Sequence, residues 1–252
     1  MKRCMLLVAL VAIVVCTTTF ADTVASEPSL TILWDNGSVS GTVTIGPEIL
    51  TPYMKQNGSL TEINIDNSAC DQIIQQVQAQ NYVDLQSLKF SYDTDPYVTG
   101  GFSALNSTGS TQTYTFIFTS AVAPPITPTS LYGGSMSGSF TAGVSVPATV
   151  TTVAPAPLYW GIIDGTPVMP IYPDPTSWSV AGPFSSGDIL PVNIPTTNVG
   201  PAVLNSISMQ FKFTLTPDDT ATMNGIFEVI PEPATLTILG LGGMALLRRR
   251  AR

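Results

Sequence analysis

Between Ser29 and Ile230 the apolar positions fall mostly on alternate residues, the spacing that sends side chains to opposite faces of a strand. Tyr114, Phe116 and Phe118 alternate with Thr113, Thr115, Ile117 and Thr119. Phe211, Phe213 and Leu215 alternate with Gln210, Lys212 and Thr214. Both segments read as strands with one face buried and one in water. Further strands are predicted at Thr31–Trp34, Ser38–Ile45, Leu88–Tyr92, Met136–Val146 and Thr220–Ile230. Asp35-Asn36-Gly37 between the first two is a hairpin-turn signal. Pro217-Asp218-Asp219 places proline where a turn begins.

One segment breaks the alternation. Asn67–Gln80 carries Ala69, Ile73, Ile74 and Val77 on one face at helical spacing, with Asp66 or Asn67 as the N-cap. The Pro-rich stretches Ala123–Thr129 and Thr166–Pro175 read as loops. No repeat at a solenoid period is visible, so residues 22–230 form one domain. The expected fold is mainly β: an antiparallel β-sandwich, immunoglobulin-like or jelly-roll-like, with one short helix.

The two ends have a different character. Met1-Lys2-Arg3 is a short positive segment, and Met5–Val15 is an unbroken apolar run. Thr19-Phe20-Ala21 then offers small residues at the −3 and −1 positions of a cleavage site. This is the pattern of a secretory signal peptide over residues 1–21, with cleavage after Ala25 as the alternative. It implies an N-terminal signal helix and passage through the Sec translocon. Val15 is bulky where a lipoprotein signal before Cys16 needs a small residue.

At the other end Pro231-Glu232-Pro233 stops regular structure. The apolar stretch Ala234–Leu247 follows, then Arg248, Arg249, Arg250 and Arg252. A positive cluster after an apolar segment acts as a brake on the cytoplasmic side of a membrane. Fourteen residues make about 21 Å of helix, short of the ~30 Å hydrocarbon core. The expectation is a weak C-terminal transmembrane helix of the kind an enzyme removes.

Pro231-Glu232-Pro233-Ala234-Thr235-Leu236, the Leu239-Gly240-Leu241-Gly242-Gly243 core and the terminal arginines resemble the PEP-CTERM sorting signal. The resemblance covers the tail, residues 231–252. It implies processing by a membrane-embedded exosortase at the cell envelope, cell surface or extracellular matrix of a Gram-negative bacterium that makes exopolysaccharide. In the body, Tyr92-Asp93-Thr94-Asp95-Pro96 and Thr111-Gln112-Thr113-Tyr114-Thr115-Phe116 resemble other PEP-CTERM cargo domains, and this brings no activity with it.

Composition narrows the functions. From Asp22 to Ile230 there are three lysines, no arginine and sixteen acids, a net charge of −13. Such a body cannot neutralise a run of phosphates, which excludes nucleic acid as a partner. The chain contains no histidine, which removes the Ser-His-Asp and Cys-His nucleophile systems and most zinc sites. Cys70 is the one cysteine after residue 21, so the mature chain has no internal disulfide, and the thiol reads as packed.

Two constellations carry candidate chemistry. Asp93, Asp95, Asp218 and Asp219 supply oxygens of the kind Ca²⁺ takes, although none approaches an EF-hand spacing and aspartate also favours turns for its own hydrogen bonds. Calcium is the one cofactor considered. Trp34, Tyr159, Trp160 and Trp178 could form an aromatic platform for exopolysaccharide, or serve as core and loop anchors. No catalytic residue is singled out. The sequence therefore points to an exported, non-enzymatic surface or biofilm-matrix protein, with a carbohydrate-binding module as the alternative and a glycan-active enzyme, needing two close carboxylates, behind it.

Overall fold

Strands with one apolar face are stable only when that face is covered, and here two sheets cover each other. The computed structural model describes residues 28–58, 60–76, 82–93, 96–144 and 147–232. The signal peptide, the apolar tail with Arg248–Arg250, Pro233 and Asp95 lie outside the described residues. In chain order the strands are β1 (Ser29–Asp35), β2 (Ser40–Ile45), β3 (Met54–Asn57), β4 (Leu60–Ile65), β5 (Asp84–Asp93), β6 (Tyr97–Leu105), β7 (Gln112–Ala121) and β8 (Ser130–Thr141). They continue with β9 (Ala148–Thr151), β10 (Tyr159–Ile163), β11 (Thr166–Ile171), β12 (Ser177–Val180), β13 (Ser186–Gly200), β14 (Ser206–Leu215) and β15 (Thr220–Pro231).

The first sheet has eight strands, in the order β11-β10-β14-β7-β1-β2, with β9 joining β14 to β12. The second has seven, in the order β13-β8-β15-β6-β5-β4-β3. Every pairing is antiparallel, as expected for a sandwich. The chain crosses between layers from β2 to β3, from β6 to β7, from β7 to β8, from β8 to β9, from β12 to β13, from β13 to β14 and from β14 to β15.

Register follows the sequence pattern. Phe116 stands opposite Phe211, Tyr114 opposite Phe213 and Phe118 opposite Met209. All six are fully buried. Phe102 of β6 enters from the facing sheet and stacks on Phe116 at a centroid distance of 3.8 Å, edge-on to Phe211 at 5.5 Å. Edge contacts such as that with Phe211 add to simple burial. The sheets approach closely at Gly225, where a Cβ would lie 2.7 Å from Phe211 and 2.9 Å from Tyr159.

The predicted helix is present as α2 (Asn67–Gln76), and residues 77–80 lie outside the described residues. Asp66 is its cap, its carboxylate accepting from the Ala69 amide at 3.0 Å. Pro47–Leu50 forms an additional single helical turn, α1, with proline at its start. The β1–β2 hairpin turns where expected. Asn36 accepts from the amides of Ser38 and Val39, and Gly37 takes φ +81°.

Prolines produced the main departures. Thr166–Ile171, expected as loop, is β11, and β13 runs for fifteen residues with Pro191 and Pro195 inside it. Both are edge strands of their sheets, where proline's missing N–H can face outward. The prolines of β13 fall within its two register shifts, Ile189/Val192 and Ile194/Asn198. Ala123–Thr129 is a loop, pinned by the Ile126–Val203 bridge.

Candidate functional site

The pole of the sandwich from which the chain leaves is fixed by register. Ser29 stands opposite Thr119, and Ala121 opposite Ser206. In the facing sheet Pro231 stands opposite Ser130. A five-residue link, residues 201–205, joins the two layers at this level, running from Gly200, which stands opposite Ser130, to Ser206, which stands opposite Ala121. Ser29 and Pro231 therefore emerge from the same pole. A shallow cleft of about 310 Å³ borders the exit, lined by Pro96, Pro124, Pro125, Ile126 and Pro231.

The opposite pole lies one strand length away. The twelve residues of β15 span roughly 35–40 Å at ~3.3 Å each. A buried hydrogen-bond knot holds this pole together. The Asn106 amide donates to the carbonyls of Ser110 and Leu215, both at 2.9 Å, and its oxygen accepts from the Thr108 amide at 3.1 Å. Asp219, fully buried, accepts from Gly143 N–H at 3.0 Å and from the Thr216 hydroxyl. Phe184, at φ +56° and 74% exposed, and Val144, 70% exposed, form the outermost apolar surface here.

This geometry separates the aspartates. Asp93 ends β5 opposite Tyr97, at the exit pole. Asp218 and Asp219 form the β14–β15 turn at the far pole, and the Asp219 oxygens are taken by the donors just named. Asp95 lies outside the described residues. Among the described residues no group of three or more acids and cysteines is spaced to hold a metal ion.

The four aromatic residues are not brought to one surface either. Trp34 is buried and stacks on Tyr82 at 5.5 Å. Tyr159 is fully buried and donates its hydroxyl across the core to the Ile226 carbonyl at 2.9 Å, and burial raises its ionisation well above the usual range. Trp178 packs edge-on to Tyr172 at 5.1 Å, in register with the buried Val150. Trp160, flanked in sequence by inward-facing Tyr159 and Gly161, lies on the outer face. Their alternation in the strands sends them to different sides, which spacing along the chain did not reveal.

A concavity larger than the exit cleft lies elsewhere, on the outer face of the second sheet. It holds about 640 Å³ and runs across β6, β15, β8 and β13. Tyr97, Thr99, Ser135, Ser137, Asn193 and Asn224 present its polar atoms, and Pro191 and Ile226 its apolar ones. Two bulges of β13 shape it. The first sets Leu190 and Pro191 opposite Ser137, and the Tyr172 hydroxyl holds it by donating to the Leu190 carbonyl at 2.5 Å. The second folds Thr196 over Gly133, where the Thr196 hydroxyl donates to Glu228 at 2.8 Å. Partial burial, with the charges of Glu62, Asp93 and Glu228, raises the ionisation of Tyr97. Sequence reading missed this face because its residues come from four strands distant along the chain.

The exit from β15 leads directly into Glu232 and the segment beyond. The family model for the PEP-CTERM protein-sorting motif matches residues 229–251. The chain carries a PEP-CTERM sorting motif. The PEP-CTERM match begins inside β15, so the last strand residues belong both to the fold and to the motif. A motif of this kind marks an exported protein directed to the cell envelope or surface and implies processing by an exosortase. Comparison with curated proteins finds no match. Among solved structures, a chain of the structure of infectious bursal disease virus Gx strain aligns at 12% identity and a TM-score of 0.16, over 86% of this chain and 63% of that one. A likeness at that score carries no argument. Among the described residues no helix is long and apolar enough to cross a membrane.

Proposed function

We propose that this PEP-CTERM protein is a non-enzymatic surface or biofilm-matrix component of a Gram-negative bacterium, exported through the Sec translocon and cut by exosortase at its sorting motif. The observation that carries the reading is the shared exit of Ser29 and Pro231 from one pole. A signal peptide before Ser29 and a membrane-held tail after Pro231 then load the same end of the molecule. The rest of the sandwich projects away by the length of β15, which suits a domain displayed from a membrane. No cofactor enters this reading.

Fractionation of the native host with mass spectrometry of the recovered protein tests it. The expected product is an envelope or extracellular species that starts after residue 21 or 25 and ends within residues 231–252. Full-length protein recovered intact from the cytosol would overturn it.

A further inference from the structure

We propose that the concavity on the outer face of the second sheet binds a neutral glycan chain. The inference rests on the surface reading only in that such a polymer is met outside the cell.

Elsewhere on the two sheets four pairs of hydroxyls bond to one another: Thr31 with Thr44, Thr119 with Ser208, Thr141 with Ser186 and Thr222 with Ser103, all at 3.0–3.1 Å. In the concavity the pattern is different. Among the described residues no side-chain hydrogen bond joins Thr99, Ser135, Ser137, Asn193 or Asn224 to the protein, so these donors and acceptors are available to a ligand. Hydroxyls and carboxamides together can both give and accept, as sugar hydroxyls do. Tyr97 and Ile226 add a ring and an apolar patch for the C–H faces of a pyranose.

The size and charge fit the same ligand. Four adjacent strands at ~4.8 Å spacing make a trough roughly 14 Å across, and 640 Å³ lies within the range of ligand sites. No cation lines it, while Glu62, Asp93 and Glu228 stand around Tyr97. An anionic polymer would be repelled and a neutral one would not. The β13 bulges form its rim, and bulges of this kind commonly re-aim side chains at functional sites.

The test uses the full chain in affinity electrophoresis through gels containing a β-1,3-glucan, a β-1,4-glucan, a mannan or polygalacturonate. Retardation by at least one neutral polymer and not by polygalacturonate is expected. Asn193→Ala/Asn224→Ala and Tyr97→Ala are each expected to weaken that retardation about tenfold, the effect of losing one or two hydrogen bonds or a ring contact. Thr113→Ala, on the outer face of the other sheet, should leave it unchanged. Should Tyr97→Ala misfold, Ser137→Trp fills the trough and must abolish binding with the melting temperature retained. The proposal is overturned if no neutral polymer retards the chain, if polygalacturonate binds best, or if the variants bind like the parent. Self-association through this face, with no glycan effect, would also overturn it. Fractionation of the host reads the surface assignment separately, so either idea can fail alone.

Discussion

Pro231 stands opposite Ser130 as the last rung of the β8–β15 ladder, so the first proline of the sorting motif is also the final residue of the sheet. No spacer separates the folded body from the segment that exosortase processes. Pro231 is itself exposed at the ladder's end, where proline costs the sheet little because its missing donor points outward.

Replacing Pro231, Glu232 and Pro233 together with alanine should leave the sandwich intact and block processing. Immunoblots of the host would show the longer precursor in the membrane fraction, while the melting temperature of the purified protein changes little. A normally trimmed product from this variant would remove the motif from its assigned role.

Asp164 gives the fold an acid-sensitive joint. It sits at φ +46°, and its carboxylate accepts from the amides of Leu204 (2.7 Å), Asn205 (2.8 Å) and Ser206 (2.9 Å). Partial burial disfavours the charge, but these hydrogen bonds outweigh it and lower its ionisation below the ordinary value of 3.8. A carboxyl depressed in the folded state stabilises above its unfolded value, near pH 4, and loses that contribution as pH falls through the folded value. Asp164→Ala should cost about 1–2 kcal/mol at neutral pH, as for loss of a helix cap. The gap between parent and variant in urea melts should close below about pH 4.

The far-pole knot depends on Asn106. Its side chain bridges Ser110 and Leu215, while its own backbone exchanges hydrogen bonds with Asp218 and Asp219. Asn106→Ala leaves the buried Leu215 carbonyl without this partner and should lower stability by about 2–3 kcal/mol. Chemical denaturation with an unchanged m-value would confirm a native-state loss.

Phe102 is the side chain that locks the layers, since it meets rings from both β7 and β14. Truncation to alanine opens a cavity between the two sheets and should cost about 3–5 kcal/mol. The exposed Phe184→Ala, by contrast, should change stability by less than about 0.5 kcal/mol. Thermal melts of the two variants side by side check the contrast.

Cys70 should be inert until the protein unfolds. Its thiol is fully buried, and desolvation, helped by the charges of Asp66 and Asp71, pushes its ionisation up to about 12. Since thiolate is the reactive form, the mature protein should titrate no thiol with a disulfide reagent in buffer and one in denaturant. Rapid reaction of the native protein would show that the α2 region opens.

Alternation made the central strands legible: the aromatic runs of β7 and β14 could each be read as a half-buried strand from the chain alone, because a period of two has one structural meaning, whereas their pairing came from the fold. The hairpin at Asn36-Gly37 and the cap at Asp66 were legible for the same local reason. The edge strands β11 and β13 were not. A proline removes a strand signal, and only position at a sheet edge shows why it is tolerated. Site chemistry was least legible. Trp34, Tyr159, Trp160 and Trp178 share a residue type but not a surface, because the fold buries Trp34 and Tyr159 in the core and sets Trp178 against Tyr172.

By itself the sequence determined the export class, the tail motif, the β character and the acidic, histidine-free body, since each follows from composition or local order. Only the tertiary structure decided that both ends leave one pole and that Tyr97, Ser135, Asn193 and Asn224 share one trough. Those relationships arise from sheet register and β-bulges, which join residues about a hundred positions apart through backbone hydrogen bonds that carry no local mark in the chain.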